Sequence, residues 1–226
     1  NTWLPTHPKS EDLNGHGTHV ASQVASNAVF FAGVTSRVRL LAIKVLDRNT
    51  TGNLSSILFG VLHAADQGAD VANMSIRIRQ GLPKPNPFAL FPLTNRIFNY
   101  AHRKGMVMIV VPGNEGEDMD HDGPIFRAYC DAPHVICVSA TGPTASTDAF
   151  SGPWENEDAF ASYSNYGKAI TLSAPGGTEH GLISALCAHR RVTGFVPNTN
   201  PAVPIFGCVT STPNNAWVVG GFGTSL

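Results

Sequence analysis

No stretch of this chain is apolar for long enough to cross a bilayer. The longest candidate, "MVMIVVPG", is broken by Pro112 and Gly113, whereas a spanning helix needs about 20 apolar residues in a row. Charge is scarce as well: 14% of the 226 residues are Asp, Glu, Lys or Arg, and the formal net charge is -1. That leaves no electrostatic footprint for nucleic acid or for an anionic membrane surface. An initiating methionine and a signal peptide are both missing, and the chain stops at Leu226, straight after "GTS". Both ends are therefore expected to be cuts through a longer protein, and the missing signal says nothing about export. What is present suffices for a full core. With 42% hydrophobic residues, a chain of this length is expected to form one domain over residues 1–226.

Four cysteines, Cys130, Cys137, Cys187 and Cys208, stand without metal-type spacing. Four cysteines allow three connectivities. The pairs nearest in sequence, Cys130 with Cys137 and Cys187 with Cys208, are favoured because each brackets a segment rich in turn formers. Either bridge would imply an oxidising compartment. Buried free thiols are the alternative.

Apolar runs alternate with helix-like segments, the rhythm of a parallel sheet covered by helices. "VRLLAIKVL" (38–46) predicts a buried strand, and a helix should follow through Ile57, Leu58, Val61, Leu62 and Ala65 to Gly68, capped by Asn53 or Ser55. "ADVANMSI" (69–76), "GMVMIVV" (105–111) and "HVICVSA" (134–140) predict further strands. Between the first two, "RQGLPKPNPFALFPL" holds four prolines in fifteen residues and should be irregular, with a helix after it around Ile97, Phe98, Ala101 and His102. From about Thr141 the chain is rich in Gly, Pro, Ser and Thr and lacks a long helical pattern.

The run "NGHGTHVASQVAS" (14–26) places His16 and His19 three residues apart. A zinc helix of the HExxH kind needs its histidines at i and i+4 with a glutamate beside the first. Here the spacing is i,i+3 and the neighbour is Gly17, which argues against metal. His19, one turn inside the helix and next to Val20, is read as a satisfied polar residue. His16 lies between Gly15 and Gly17 where the chain turns into a helix whose apolar side carries Val20, Ala21, Val24 and Ala25. The positive end of the helix dipole lowers a histidine's pKa and keeps the imidazole neutral. That is the form a general base requires.

Two downstream segments could serve such a base. "GGFGTSL" exposes Ser225 after small residues that permit a tight turn. "MVMIVV" runs into "PGNEG", which leaves Asn114 at the carboxyl end of a buried strand, where parallel sheets bind ligands. Taken together and in this order, "NGHGTHVAS", "VPGNEG", "ASYSNYGKAITLSAPGG" and "GFGTSL", with the strand-helix-strand stretch between the first two, resemble the subtilase family of serine peptidases along nearly the whole chain.

The resemblance implies an α/β fold, a three-layer doubly wound sandwich with a mainly parallel central sheet. It implies a secreted, monomeric serine endopeptidase acting on extended protein or peptide segments, with no nucleic-acid or membrane partner. In it His16 is the general base, Ser225 the nucleophile and Asn114 the oxyanion donor, with the Ser225 amide as its partner. Substrate is expected to add as a strand along Ser75, Ile76 and Arg77, with Gly113 nearby. The chemistry needs no cofactor. Two rival readings are a peptide-binding module that has lost its triad and a different Ser-His hydrolase. The second lacks its GxSxG elbow and would place serine before histidine.

Three features depart from the family pattern or stand outside it. The family's triad aspartate precedes the histidine on an earlier strand, and only fifteen residues stand before His16. Asp12 lies too close in turn-prone chain to reach the far ring nitrogen, so the aspartate is expected outside this fragment. The 226-residue chain should then be nearly silent by itself. Arg77 and Ile78 occupy positions where small residues are usual, which leaves two readings for Arg77: pointing to solvent from an edge strand, or favouring acidic or polar substrate side chains. Finally, "DMDHDG" spaces Asp118, Asp120 and Asp122 like the opening of a calcium loop, but Tyr129 stands where the closing glutamate belongs. A solvated acidic turn is preferred over an ion site, although the resemblance is compatible with structural calcium.

Overall fold

The computed structural model describes residues 12, 14–28, 31–47, 49–78, 82–83, 90–126, 129–186, 209–210 and 217–226. Cys187 and Cys208, and with them the bridge expected between them, lie outside these residues. Among the described residues no helix is long and apolar enough to cross a membrane.

Helix α1 spans His16–Ala25. Helix α2, Leu54–Asp66, begins after Asn53 in extended conformation and runs out at Gly68, which takes φ 71°. A left-handed glycine at this point ends a helix without the steric cost of a Cβ. Strand β1 is Val71–Met74, helix α3 is Leu90–Arg103, and strands β2, β3 and β4 are Val107–Val110, Val135–Thr141 and Leu172–Pro175. These four strands form one parallel sheet in the order β4-β3-β2-β1. Two shorter strands flank β7, Trp217–Gly221, in a separate antiparallel sheet: β5, Ile183–Leu186, and β6, Val209–Thr210.

Alternation along the strands divides the parallel sheet into two faces. Met74, Met108, Val110 and Cys137 enter the core. There they join Ile57, Leu58, Val61, Ala64 and Ala65 from α2 and Ile97, Phe98 and Ala101 from α3. Full burial of side chains such as Leu58 or Phe98 contributes about 1.5–3 kcal/mol each. On the other face, Val71, Val107 and Leu172 are 55%, 42% and 46% exposed.

Three local expectations need correction. No strand forms over 38–46 among the described residues. Ile43, Val45 and Leu46 pack against the core while Val38, Leu40 and Leu41 are exposed, so the second half of the run is packed and the first half is not. The irregular proline-rich run ends earlier than expected, since α3 starts at Leu90 and takes Pro92 into its first turn, where proline's missing N–H has no helical acceptor to satisfy. The buried side of α1 is polar, formed by His19 and Ser22. It docks on β5, with His19 Nε2 3.3 Å from the Ile183 carbonyl and Gln23 Nε2 donating to the Ser184 carbonyl at 2.8 Å.

The Cys130–Cys137 disulfide is formed, with Cα atoms 5.2 Å apart. It ties a single 3-10 turn, Tyr129–Asp131, to the start of β3.

Candidate active site

The site segments leave the carboxyl ends of neighbouring strands: residues 75–77 after β1, residues 111–117 after β2, and Gly176 after β4. His16 arrives at the first position of α1. Ser225 comes four residues after β7.

Asp12 builds the start of α1. One carboxylate oxygen accepts the amides of Asn14 (3.0 Å) and Gly15 (2.8 Å), and the other accepts the Thr18 amide (2.8 Å) and hydroxyl (2.9 Å). Burial pushes this carboxyl up, but the four hydrogen bonds together outweigh it and hold it below the usual carboxylate value. Its oxygens thus satisfy donors that a helix N-terminus otherwise leaves without partners. None of the bonds goes to the His16 ring. No described carboxylate is hydrogen-bonded to His16 Nδ1.

His16 Nε2 lies 3.2 Å from Ser225 Oγ although 209 residues separate them. Burial lowers the His16 pKa, and the nearby Asp12 charge opposes part of that shift. The imidazole is therefore poised neutral, able to accept a proton from the hydroxyl it faces. His19 takes no part: it is buried, its pKa is lowered to about 4 chiefly by burial, and its Nδ1 has no partner among the described residues.

Asn114 completes the group. Its Oδ1 accepts both the amide (2.9 Å) and the hydroxyl (2.8 Å) of Thr224. With two donors on the oxygen, the amide flip is settled and Nδ2 is the end left to donate elsewhere. A Cβ at Gly223 would stand 3.2 Å from that Nδ2 and 3.7 Å from Ser225 Oγ. Glycine keeps this space open between the two groups. The turn is anchored to the "APGG" segment by the Gly223 amide, which donates to the Gly176 carbonyl at 2.9 Å.

The other sequence candidates sit close by with different surroundings. Ser75 accepts a 3.0 Å bond from Asn73 Nδ2, and the Ile76 amide donates to the Met74 carbonyl at 2.7 Å. Arg77 is ion-paired with Glu115, both side chains 24% exposed, so neither sequence reading of this residue describes it fully. Gly113, at φ 114°, lies against the Glu115 carboxylate and the Asn165 carboxamide, which a Cβ would meet at 2.5 and 2.7 Å. Asp118 bonds His121 Nδ1 (2.8 Å) and the Asp120 amide (2.9 Å), and Asp120 accepts the Lys168 amide (3.1 Å). Among the described residues no group of three or more His, Cys, Asp or Glu side chains could hold a metal ion.

Thr224 and Asn165 carry no sequence signal of their own: Asn165 lies within "ASYSNYG", and Thr224 directly precedes Ser225.

The subtilase family model matches residues 1–226. A thermophilic serine proteinase of Bacillus sp. (strain AK1) is 34% identical over 196 residues, 85% of this chain and 41% of that protein. Thermitase of Thermoactinomyces vulgaris is 30% identical over 166 residues, 72% of this chain and 50% of its own. Among solved structures, a lanthipeptide protease superposes with a TM-score of 0.66 at 20% identity, covering 93% of this chain and 56% of that one. A cold adapted subtilisin-like serine proteinase gives 0.59 at 24% identity, covering 80% and 55%. This chain spans about half the length of these relatives. Its fold is the three-layer α/β sandwich around a mainly parallel sheet that such structures share. With its histidine, asparagine and serine segments meeting at the carboxyl edge of that sheet, the chain belongs to the subtilase family.

Proposed function

We propose that this chain is the greater part of the catalytic domain of a serine endopeptidase, exported to an oxidising compartment, that hydrolyses peptide bonds in extended protein segments. The observation that carries the reading is the 3.2 Å approach of His16 Nε2 to Ser225 Oγ. A binding module that had lost its chemistry would have no need to hold a neutral imidazole against a hydroxyl. Ser225 Oγ attacks the scissile carbonyl while His16 takes its proton, and His16 later returns that proton to the leaving amine. Asn114 Nδ2 and the Ser225 amide donate to the oxyanion as it forms. Asp12 is fully engaged at the helix N-terminus, so the orienting carboxylate for His16 is assigned to a segment beyond the described residues.

The peptide adds along residues 75–77 by backbone hydrogen bonds. The Arg77–Glu115 pair leaves that segment without a net charge, which favours uncharged side chains beside it. The reaction uses no cofactor, and Asp118 and Asp120 serve as turn anchors. The Cys130–Cys137 bridge supports export, because such bonds persist in oxidising compartments. The deciding experiment uses the full-length protein containing this chain, assayed on an unstructured protein substrate with and without a serine-directed phosphonyl fluoride. Cleavage abolished by the inhibitor and by Ser225→Ala is expected. Cleavage that survives both would overturn the assignment.

A further inference from the structure

Asn165 is fully buried in a turn far in sequence from His16, Asn114 and Ser225. Its carboxamide nevertheless brackets Asn114. Oδ1 accepts the amides of Glu115 (3.1 Å) and Glu117 (2.9 Å) on one side. On the other side Nδ2 donates to the Pro112 carbonyl at 3.0 Å, and the Asn165 amide donates to the Gly113 carbonyl at 3.1 Å. The peptide units before and after Asn114 are thus both held by one residue. Two further contacts fasten the same loops together: the Gly116 amide donates to the Tyr163 carbonyl (2.7 Å) and the Tyr166 amide to the Glu117 carbonyl (3.1 Å).

Nδ2 also donates to Glu115 Oε2 at 2.9 Å, and Glu115 pairs with Arg77. Asn165 is therefore the hub of a polar chain that runs from the segment expected to bind substrate to the loop that presents Asn114. Its close approach to the main chain at Gly113, where a Cβ would stand 2.7 Å from Nδ2, requires glycine there.

We propose that Asn165 is a positioning residue for the oxyanion donor, fixing the loop that aims Asn114 Nδ2. The inference rests on the serine-peptidase reading above. A donor aimed at developing charge stabilises the transition state only if its direction is fixed beforehand. Asn165 supplies that fixity through the backbone on both sides of Asn114, and Thr224 supplies it through the side chain.

The test is a double-mutant cycle in the full-length protein, with enzyme concentration set by titration of Ser225 with a phosphonyl fluoride and rates taken well below each variant's melting temperature. Asn165→Ala should lower kcat by about 10- to 100-fold with KM within about threefold, part of the ~10²–10³ known in this family for losing the asparagine donor itself. In an Asn114→Ala background the same change should cost less than about threefold, because no donor remains to be aimed. Asn165→Asp keeps the acceptor oxygen but loses the donor and sets a second carboxylate against Glu115. Relative to the parent protein at the same pH, it should recover activity as pH falls and the new carboxyl is protonated, a response that simple loosening of the fold would not give. If Asn165→Ala does not fold, Asn165→Asp carries the cycle. Unchanged kcat, or a full loss persisting without Asn114, would overturn the inference while leaving the peptidase reading intact. Absence of inhibitor-sensitive cleavage by the unmutated protein would overturn both.

Discussion

Thr224 gives both its hydrogens, amide and hydroxyl, to the side-chain oxygen of Asn114, at 2.9 and 2.8 Å. The residue beside Ser225 thereby fixes which end of the Asn114 carboxamide is left to donate. Thr224→Val keeps the shape and the amide but removes the hydroxyl. A fall in kcat of about 5- to 20-fold is expected, worth roughly the 1–2 kcal/mol of one aligned hydrogen bond. Thr224→Ser should stay within about twofold of the parent, and steady-state kinetics on a peptide substrate compare the two.

Asp12 acts on His16 through charge while its hydrogen bonds serve the helix. Asp12→Asn removes the negative charge that raises the His16 pKa against burial, so the acidic limb of the kcat/KM profile should move to lower pH. Asp12→Ala should in addition cost about 1–2 kcal/mol of stability through loss of capping. The Asp12 contribution is present above the ordinary carboxylate pKa and is lost as pH falls through its lowered folded value. Chemical denaturation at neutral and acid pH measures it.

His19 sets a second acid limit. Its pKa is lowered to about 4 by burial at 5% exposure, so between about pH 6.5 and pH 4 the unfolded chain binds a proton that the folded chain excludes. Stability should therefore decline across that window as pH falls, by about 3 kcal/mol at most. His19→Gln should reduce the slope of this part of the stability profile, leaving the dependence due to His16 and, at lower pH, to Asp12.

The Cys130–Cys137 bridge closes a short loop, with a sequence separation of 7. Replacing both cysteines by serine should cost about 2–3 kcal/mol on the loop-entropy relation, seen as a lowered denaturation midpoint. The bridge contacts neither His16 nor Ser225, so kcat of the folded double variant should be unchanged.

Charge beside the proposed substrate segment gives a further test. Glu115→Gln removes the carboxylate that balances Arg77. The ratio of kcat/KM for peptides with an acidic side chain to those with a neutral one should rise by about fivefold, the scale of a partly exposed charge pair near 1 kcal/mol.

Much of the site is legible in order of sequence because its parts are backbone turns with strict local needs. His16 between glycines, Asn114 after a buried strand and Ser225 after small residues each carry a local signature. Asn165 has none. An asparagine in a serine-rich turn looks like any loop, and only the folded chain reveals that the four bonds of its side chain all end between residues 112 and 117. The run 38–46 fails for the opposite reason. Its apolar character correctly brings Ile43 and Val45 against the core, but a strand also needs a hydrogen-bonded neighbour, and an apolar run does not identify one. Pro92 misleads because proline breaks a helix interior and is tolerated in its first turn.

The sequence separation of 209 between His16 and Ser225 also sets a timetable. Local turns form early in folding, whereas a contact between the two ends of a chain must wait until the intervening segments have been ordered. During synthesis, His16, Asn114 and the loops that hold them emerge long before Ser225 does. On the proposed serine-peptidase reading, a ribosome that has delivered this stretch only as far as Thr224 has made no catalyst, and the growing chain cannot cut itself before Ser225 has emerged.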